Sequence, residues 1–267
     1  MESTARHLHR LVEPIHMVTY MSEEPTEALM ALGHRNYWDG YFAGRAAPLG
    51  RVPAAVVHAI FYNFADGEVA RHIPRVWDTA TPEAALAARE QGSVAALRRI
   101  LGALADSPGL VRAADLATKA ATSAPTEGRI LYAGLRALPV PEEPVARLWH
   151  AATLLREHRG DGHIAALVAA GIGGTEAHVL HALFDDMPAE KFGRVHHLPA
   201  QRLTAVLEGL QDRGLVTADE TFTDAGRELR QRIEDLTDKL AAPAYDVLSA
   251  AELDELIAGL EPIAALL

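Results

Sequence analysis

The feature that most constrains this chain is a stretch that occurs twice. Residues 47–61 return as residues 170–184, with Ala47/Ala170, Gly50/Gly173, Ala54/Ala177, Val56/Val179, His58/His181, Ala59/Ala182 and Phe61/Phe184 identical. Upstream, Asp39-Gly40-Tyr41 stands where Asp161-Gly162-His163 stands in the second copy. Two related copies in one chain imply duplication and fusion, hence two similar lobes meeting at a pseudo-symmetric seam. Such a seam is a natural place for a ligand. The Pro-rich run from Leu138 to Pro144 resists helix and marks the boundary, giving an N-terminal lobe over 1–138 and a C-terminal lobe over 139–267.

Helices are expected to carry both lobes, because aromatic residues make up only 6% of the chain and β-branched alternation is scarce. Thr81-Pro82-Glu83 opens a long helix with good cap chemistry. In the second lobe a helix from Pro144 to about His158 is expected to break at Gly160-Asp161-Gly162 and resume at His163. With no cysteine, disulfides and thiolate metal sites are excluded. No apolar run approaches the roughly 20 residues of a membrane span, and no signal-peptide pattern occurs at the N-terminus, so the default expectation is a cytoplasmic chain without a membrane partner.

The segment Leu203 to Arg227 resembles the recognition helix, short wing and following helix of MarR-type winged-helix regulators. The whole chain is similar to an actinobacterial helix-turn-helix family of mostly unassigned role, on the strength of Arg45–Gly50 and Leu148–His163. The resemblance implies a mainly α fold of two winged-helix-derived lobes imitating a MarR-type dimer, with a small β-wing in the second. It implies little chemistry. DNA binding is disfavoured by the residues themselves: between Pro199 and Val216, Arg202 and Arg213 face Glu208 and Asp212, the presumed wing carries Asp219 and Glu220, and the net charge is −11.

Chemistry is sought in two places. The run Arg156 to His163 offers Arg159 as a donor fork for a carboxylate, sulfate or phosphate, His163 as a base at a helix start, and His158 and Asp161 as further contacts. The bland alternative makes Asp161 a helix cap and the rest a solvated charge run. In the first lobe Arg45 lies in a small, apolar run after Tyr37 and Tyr41, where a buried guanidinium needs either a carboxylate such as Glu24 or an anionic ligand. His16 and Tyr20 share one helical face and read either as core residues or, packed across the seam, as a base and a hydroxyl beside Tyr41, Arg45 and His163. His158, Asp161 and His163 fit no zinc spacing, and no nucleotide-binding motif occurs, so neither metal nor cofactor is expected.

The reading is therefore a protein that binds a small anionic molecule and transforms it by cofactor-independent acid–base chemistry such as elimination or cyclisation. The catalytic candidates are His163, His16 and Tyr41, with Arg45, Arg159, Asp161, Tyr37, Tyr20 and His158 as ligand contacts. The alternatives are a ligand-responsive winged-helix regulator and a non-catalytic scaffold that pairs with itself or a related chain. Ala250 to Leu267 reads as an amphipathic segment docking on its own chain or on a partner.

Overall fold

The computed structural model of the chain describes residues 3–189 and 198–267. Among them are thirteen α-helices: α1 (Thr4–Met21), α2 (Glu23–Met30), α3 (Tyr37–Ala46), α4 (Ala54–Phe61), α5 (Val76–Thr79), α6 (Pro82–Leu101), α7 (Pro108–Ser123), α8 (Ile130–Arg136), α9 (Pro144–Ala169), α10 (Gly174–Phe184), α11 (Ala200–Asp212), α12 (Asp224–Ala241) and α13 (Ala250–Ala264). No single described helix is long and apolar enough to cross a membrane. The described residues form no β-strand; between α11 and α12 a hairpin holds one antiparallel bridge, Val216 opposite Phe222.

Contacts divide the chain into two compact units. Unit 1 takes Met1–Val52, His72–Gly162 and Asp238–Leu267; unit 2 takes Pro53–Arg71 and His163–Thr237. Helices in both copies of the repeat stop in register: α3 at Ala46 and α9 at Ala169, α4 at Phe61 and α10 at Phe184.

In unit 1 the helix starts follow local chemistry. Thr81 accepts from the Ala84 N–H with Pro82 in the first turn, and Ser107 does the same for Leu110 ahead of Pro108. Ser249 and Glu252 form a reciprocal capping box at α13. Helix α2 lies against α6, and the crossing is close because residue 92 is glycine: a Cβ there would overlap the backbone of Pro25. The C-terminal segment docks on its own chain, with Leu256, Leu260 and Ile263 buried as α13 packs on α7 and α1.

The expected break at Gly160-Asp161-Gly162 does not occur; α9 runs unbroken from Pro144 to Ala169. Glycine inside a helix costs about 0.5–1 kcal/mol against alanine, and tertiary contacts offset that here. Gly162 has no side chain, so the Arg129 guanidinium lies flat on the helix at that point and donates to the His158 and Leu240 carbonyls, both at 2.8 Å. Asp161 is not a helix cap. It is buried, and its carboxylate accepts from the Tyr132 N–H of α8 at 3.0 Å.

Unit 2 has its own core, formed by Ala166 and Leu167 at the end of α9, Val179 and Ala182 of α10, Leu203 and Leu210 of α11, Val216 and Ile233. Tyr62 donates to the Ile172 carbonyl at 2.6 Å.

Candidate functional site

Four helices of unit 1 bring polar residues to a common interior. On each, the polar groups recur at spacings of three or four, so they share one face: His16, Thr19 and Tyr20 on α1; Tyr37, Tyr41 and Arg45 on α3; Arg89 and Ser93 on α6; Trp149, Thr153, Arg156 and Glu157 on α9.

Glu157, fully buried, is the anionic centre. Arg156 donates to it at 3.0 Å and Arg45 at 3.5 Å, while His16 Nε2 stands 4.0 Å away. Burial opposes its charged form, but the Arg156 and Arg45 guanidiniums override that and hold the carboxyl well below the usual carboxylate range. Burial, reinforced by Arg156, pushes the His16 imidazole well below its usual value, so it is neutral at pH 7. Its Nδ1 pairs with Thr153 Oγ1 at 3.1 Å. Trp149 donates to Thr19 Oγ1 at 2.9 Å, and Thr19 and Ser93 share a bond of 3.0 Å.

Arg89 is different. It is 2% exposed, yet no carboxylate of the described residues pairs with it and its Nε has no hydrogen-bond partner. Nη2 donates to the Tyr20 hydroxyl at a long 3.4 Å, and the guanidinium carbon lies 5.4 Å from the centre of the Trp149 ring. It helps to line a cavity whose polar wall residues are Thr19, Tyr20, Thr26, Tyr37, Tyr41, Arg45 and Arg89 and whose other wall residues are Leu29, Met30, Gly40 and Gly44. Its volume is about 20 Å³, on a scale where one water needs roughly 10–15 Å³. Tyr41 accepts from Arg45 Nη1 at 2.9 Å and packs on Tyr20, their ring centres 5.2 Å apart.

The sequence candidates therefore separate. Tyr20, Tyr37, Tyr41 and Arg45 line the cavity; His16 stands behind Tyr20, with 5.3 Å between ring centres. The carboxylate that meets Arg45 is Glu157; Glu24 pairs with Arg99 instead. Arg159 is drawn to Asp238 at 3.3 Å, a carboxylate that also accepts from Arg6 and Ser3. His158 is buried edge-on against Tyr132, and burial brings its pKa down to about 4, assisted by Arg129. Asp161 goes the other way, burial raising it to about 6 against the Tyr132 hydrogen bond. His163 belongs to unit 2, beside Thr237 at 3.0 Å. Among the described residues no three His, Asp or Glu side chains gather as a metal-donor set.

Sequence reasoning missed Arg89, Glu157 and Trp149. A signal for Arg89 was present: Ala85, Ala88, Gly92, Ser93 and Ala96 mark the buried stripe of α6, and Arg89 falls within it.

In unit 2, arginines around α11 and the hairpin are engaged by carboxylates: Arg202 with Asp66, Arg213 with Glu176 and Arg227 with Asp224. The hairpin tip exposes Asp219 and Glu220. Neither curated proteins nor solved structures match the chain. Residues 5–267 match the model of a helix-turn-helix family, and to that helix-turn-helix family the chain belongs.

Proposed function

We propose that this protein binds a small organic anion in the cavity of unit 1. The observation that carries the reading is Arg89, a buried guanidinium that lines the cavity with no carboxylate paired to it and Glu157 acting on it only from a distance. An uncompensated interior charge costs several kcal/mol, and an anionic ligand would supply what the protein omits. Acid–base work on that ligand falls to Tyr41, whose hydroxyl lies on the cavity wall and is polarised by Arg45. His16 is a positioning residue in this reading, since it reaches the cavity only through Tyr20. Trp149 lies against Arg89, so a panel of small mono- and dianions titrated against tryptophan emission tests the binding reading; no saturable response to any of them would end it.

The aligned ends of α3/α9 and α4/α10 support a duplicated helix-turn-helix, and the order α10, α11, hairpin, α12 supports a MarR-like winged helix in unit 2. Family membership favours a second reading, in which the anion is an effector and unit 2 meets DNA. The paired arginines and acidic hairpin oppose it. Titration with duplex DNA at low salt distinguishes the two, because phosphate binding is strongest there.

A further inference from the structure

We infer that the ligand of this cavity is a monocarboxylate with a short apolar or aromatic tail, its carboxylate on Arg89. The inference rests on the anion-binding reading above and narrows it to one charge state and one orientation.

Charge counting gives the first argument. Arg45 and Arg156 share the buried Glu157, and Arg156 also meets Glu13. Arg89 adds one further buried positive charge that no carboxylate contacts, so the two carboxylates Glu157 and Glu13 stand against three guanidiniums. A single negative charge neutralises that surplus. A phosphate monoester or dicarboxylate would bring a second charge into an interior with nothing left to meet it, and burying an unpaired ion is strongly unfavourable.

Donor geometry gives the second. The Nε–H of Arg89, without a hydrogen-bond partner, and its neighbouring Nη2, held by only one long bond to Tyr20, form a planar edge that can donate to both oxygens of a carboxylate. The Tyr20 hydroxyl, as acceptor of that bond, keeps its own proton to donate to a carboxylate oxygen.

The walls give the third. Leu29 is buried and Met30 half-buried, while Tyr37 is 39% exposed, so the cavity wall offers apolar surface beside the guanidinium and reaches a partly exposed ring. A charged head meets Arg89 and a short apolar tail lies against Leu29; because the cavity holds only about 20 Å³, Met30 and Tyr37 must shift to admit the tail. The small volume excludes bulky polar heads.

The test is calorimetric titration of the full-length protein with benzoate and butyrate, with benzamide, phthalate and inorganic phosphate as comparisons. Benzoate and butyrate should bind, with benzamide at least 30-fold weaker for want of the charge. Arg89→Met should abolish benzoate binding, Arg89→Lys should weaken it about tenfold by keeping charge but losing the fork, and Tyr37→Ala should weaken benzoate more than butyrate. Preferential binding of phthalate or phosphate, lost in Arg89→Met, would overturn the monocarboxylate and leave the anion site standing. Absence of binding by every anion, or benzoate binding unchanged in both Arg89 variants, would overturn both.

Discussion

If Arg89 is kept for a ligand, removing its charge should make the ligand-free protein more stable. In Arg89→Met the flexible thioether occupies most of the space of the arginine stem. What is lost is one hydrogen bond stretched to 3.4 Å and a cation–π contact at 5.4 Å; together these contribute about 1–2 kcal/mol. What is relieved is the desolvation of a guanidinium that no carboxylate pairs with, several kcal/mol for a buried ion, less its longer-range attraction to Glu157. The balance predicts a gain of about 1–3 kcal/mol, which at roughly 2–4 °C per kcal/mol for a chain this size raises Tm by about 2–12 °C. Trp38, Trp77 and Trp149, the three tryptophans of the chain, all belong to unit 1, so tryptophan emission in a urea or thermal titration reports the unfolding of that unit. A loss of more than about 1 kcal/mol in the variant would refute the reasoning, because it would mean that the guanidinium is compensated and structural.

Glu157→Gln should do the opposite, costing about 3–5 kcal/mol by leaving Arg45 and Arg156 around a neutral amide. Because the folded pKa of Glu157 is depressed, its contribution is present above the ordinary carboxylate range and lost as pH falls below it. Urea midpoints of the variant should therefore converge on those of the parent only in strong acid. Asp161 has a folded pKa raised to about 6, so the folded state prefers the proton and loses stability as pH rises from the ordinary value of 3.8 towards 6. Asp161→Asn keeps an acceptor for the Tyr132 N–H and should be more stable than the parent by on the order of 2–3 kcal/mol at pH 8, with no advantage at pH 3.5; a pH-independent difference would show that burial of the charge is not the cause. Gly162→Ala, despite the better helix propensity of alanine, should destabilise by about 1–3 kcal/mol in the same titration, since Arg129 cannot move aside without giving up two carbonyl bonds.

Local chemistry was legible in the sequence. The Thr81 cap, the helix starts after it and the helical character of both repeats follow from cap residues and spacing, and so does the interior face shared by His16 and Tyr20. Partners distant in the chain were not. Arg45 is met by Glu157 on α9 and Arg159 by Asp238 at the end of α12, whereas composition near Arg45 points to Glu24, which Arg99 takes. The supposed break in α9 failed for the same reason: two glycines weaken a helix locally, but Arg129 and Tyr132 secure it from another helix. In the first repeat the matching Asp39 is likewise buried, held by His72 at 2.7 Å and Arg75 at 2.7 and 3.1 Å. Both aspartates of the repeated Asp-Gly pairs are thus buried and hydrogen-bonded to groups from elsewhere in the chain.

A side chain at Gly40 would begin 3.2 Å from Leu29 Cβ, and one at Gly44 would begin 3.3 Å from Leu29 Cδ1 and 3.5 Å from Arg89 Cδ. The packing of α3 at these two positions thus leaves room for a hydrogen and little more. An alanine at either position would press a methyl against Leu29, and at position 44 against the Arg89 stem as well. The two glycines thus set how closely α3 approaches Leu29 of α2 and, at position 44, Arg89 of α6.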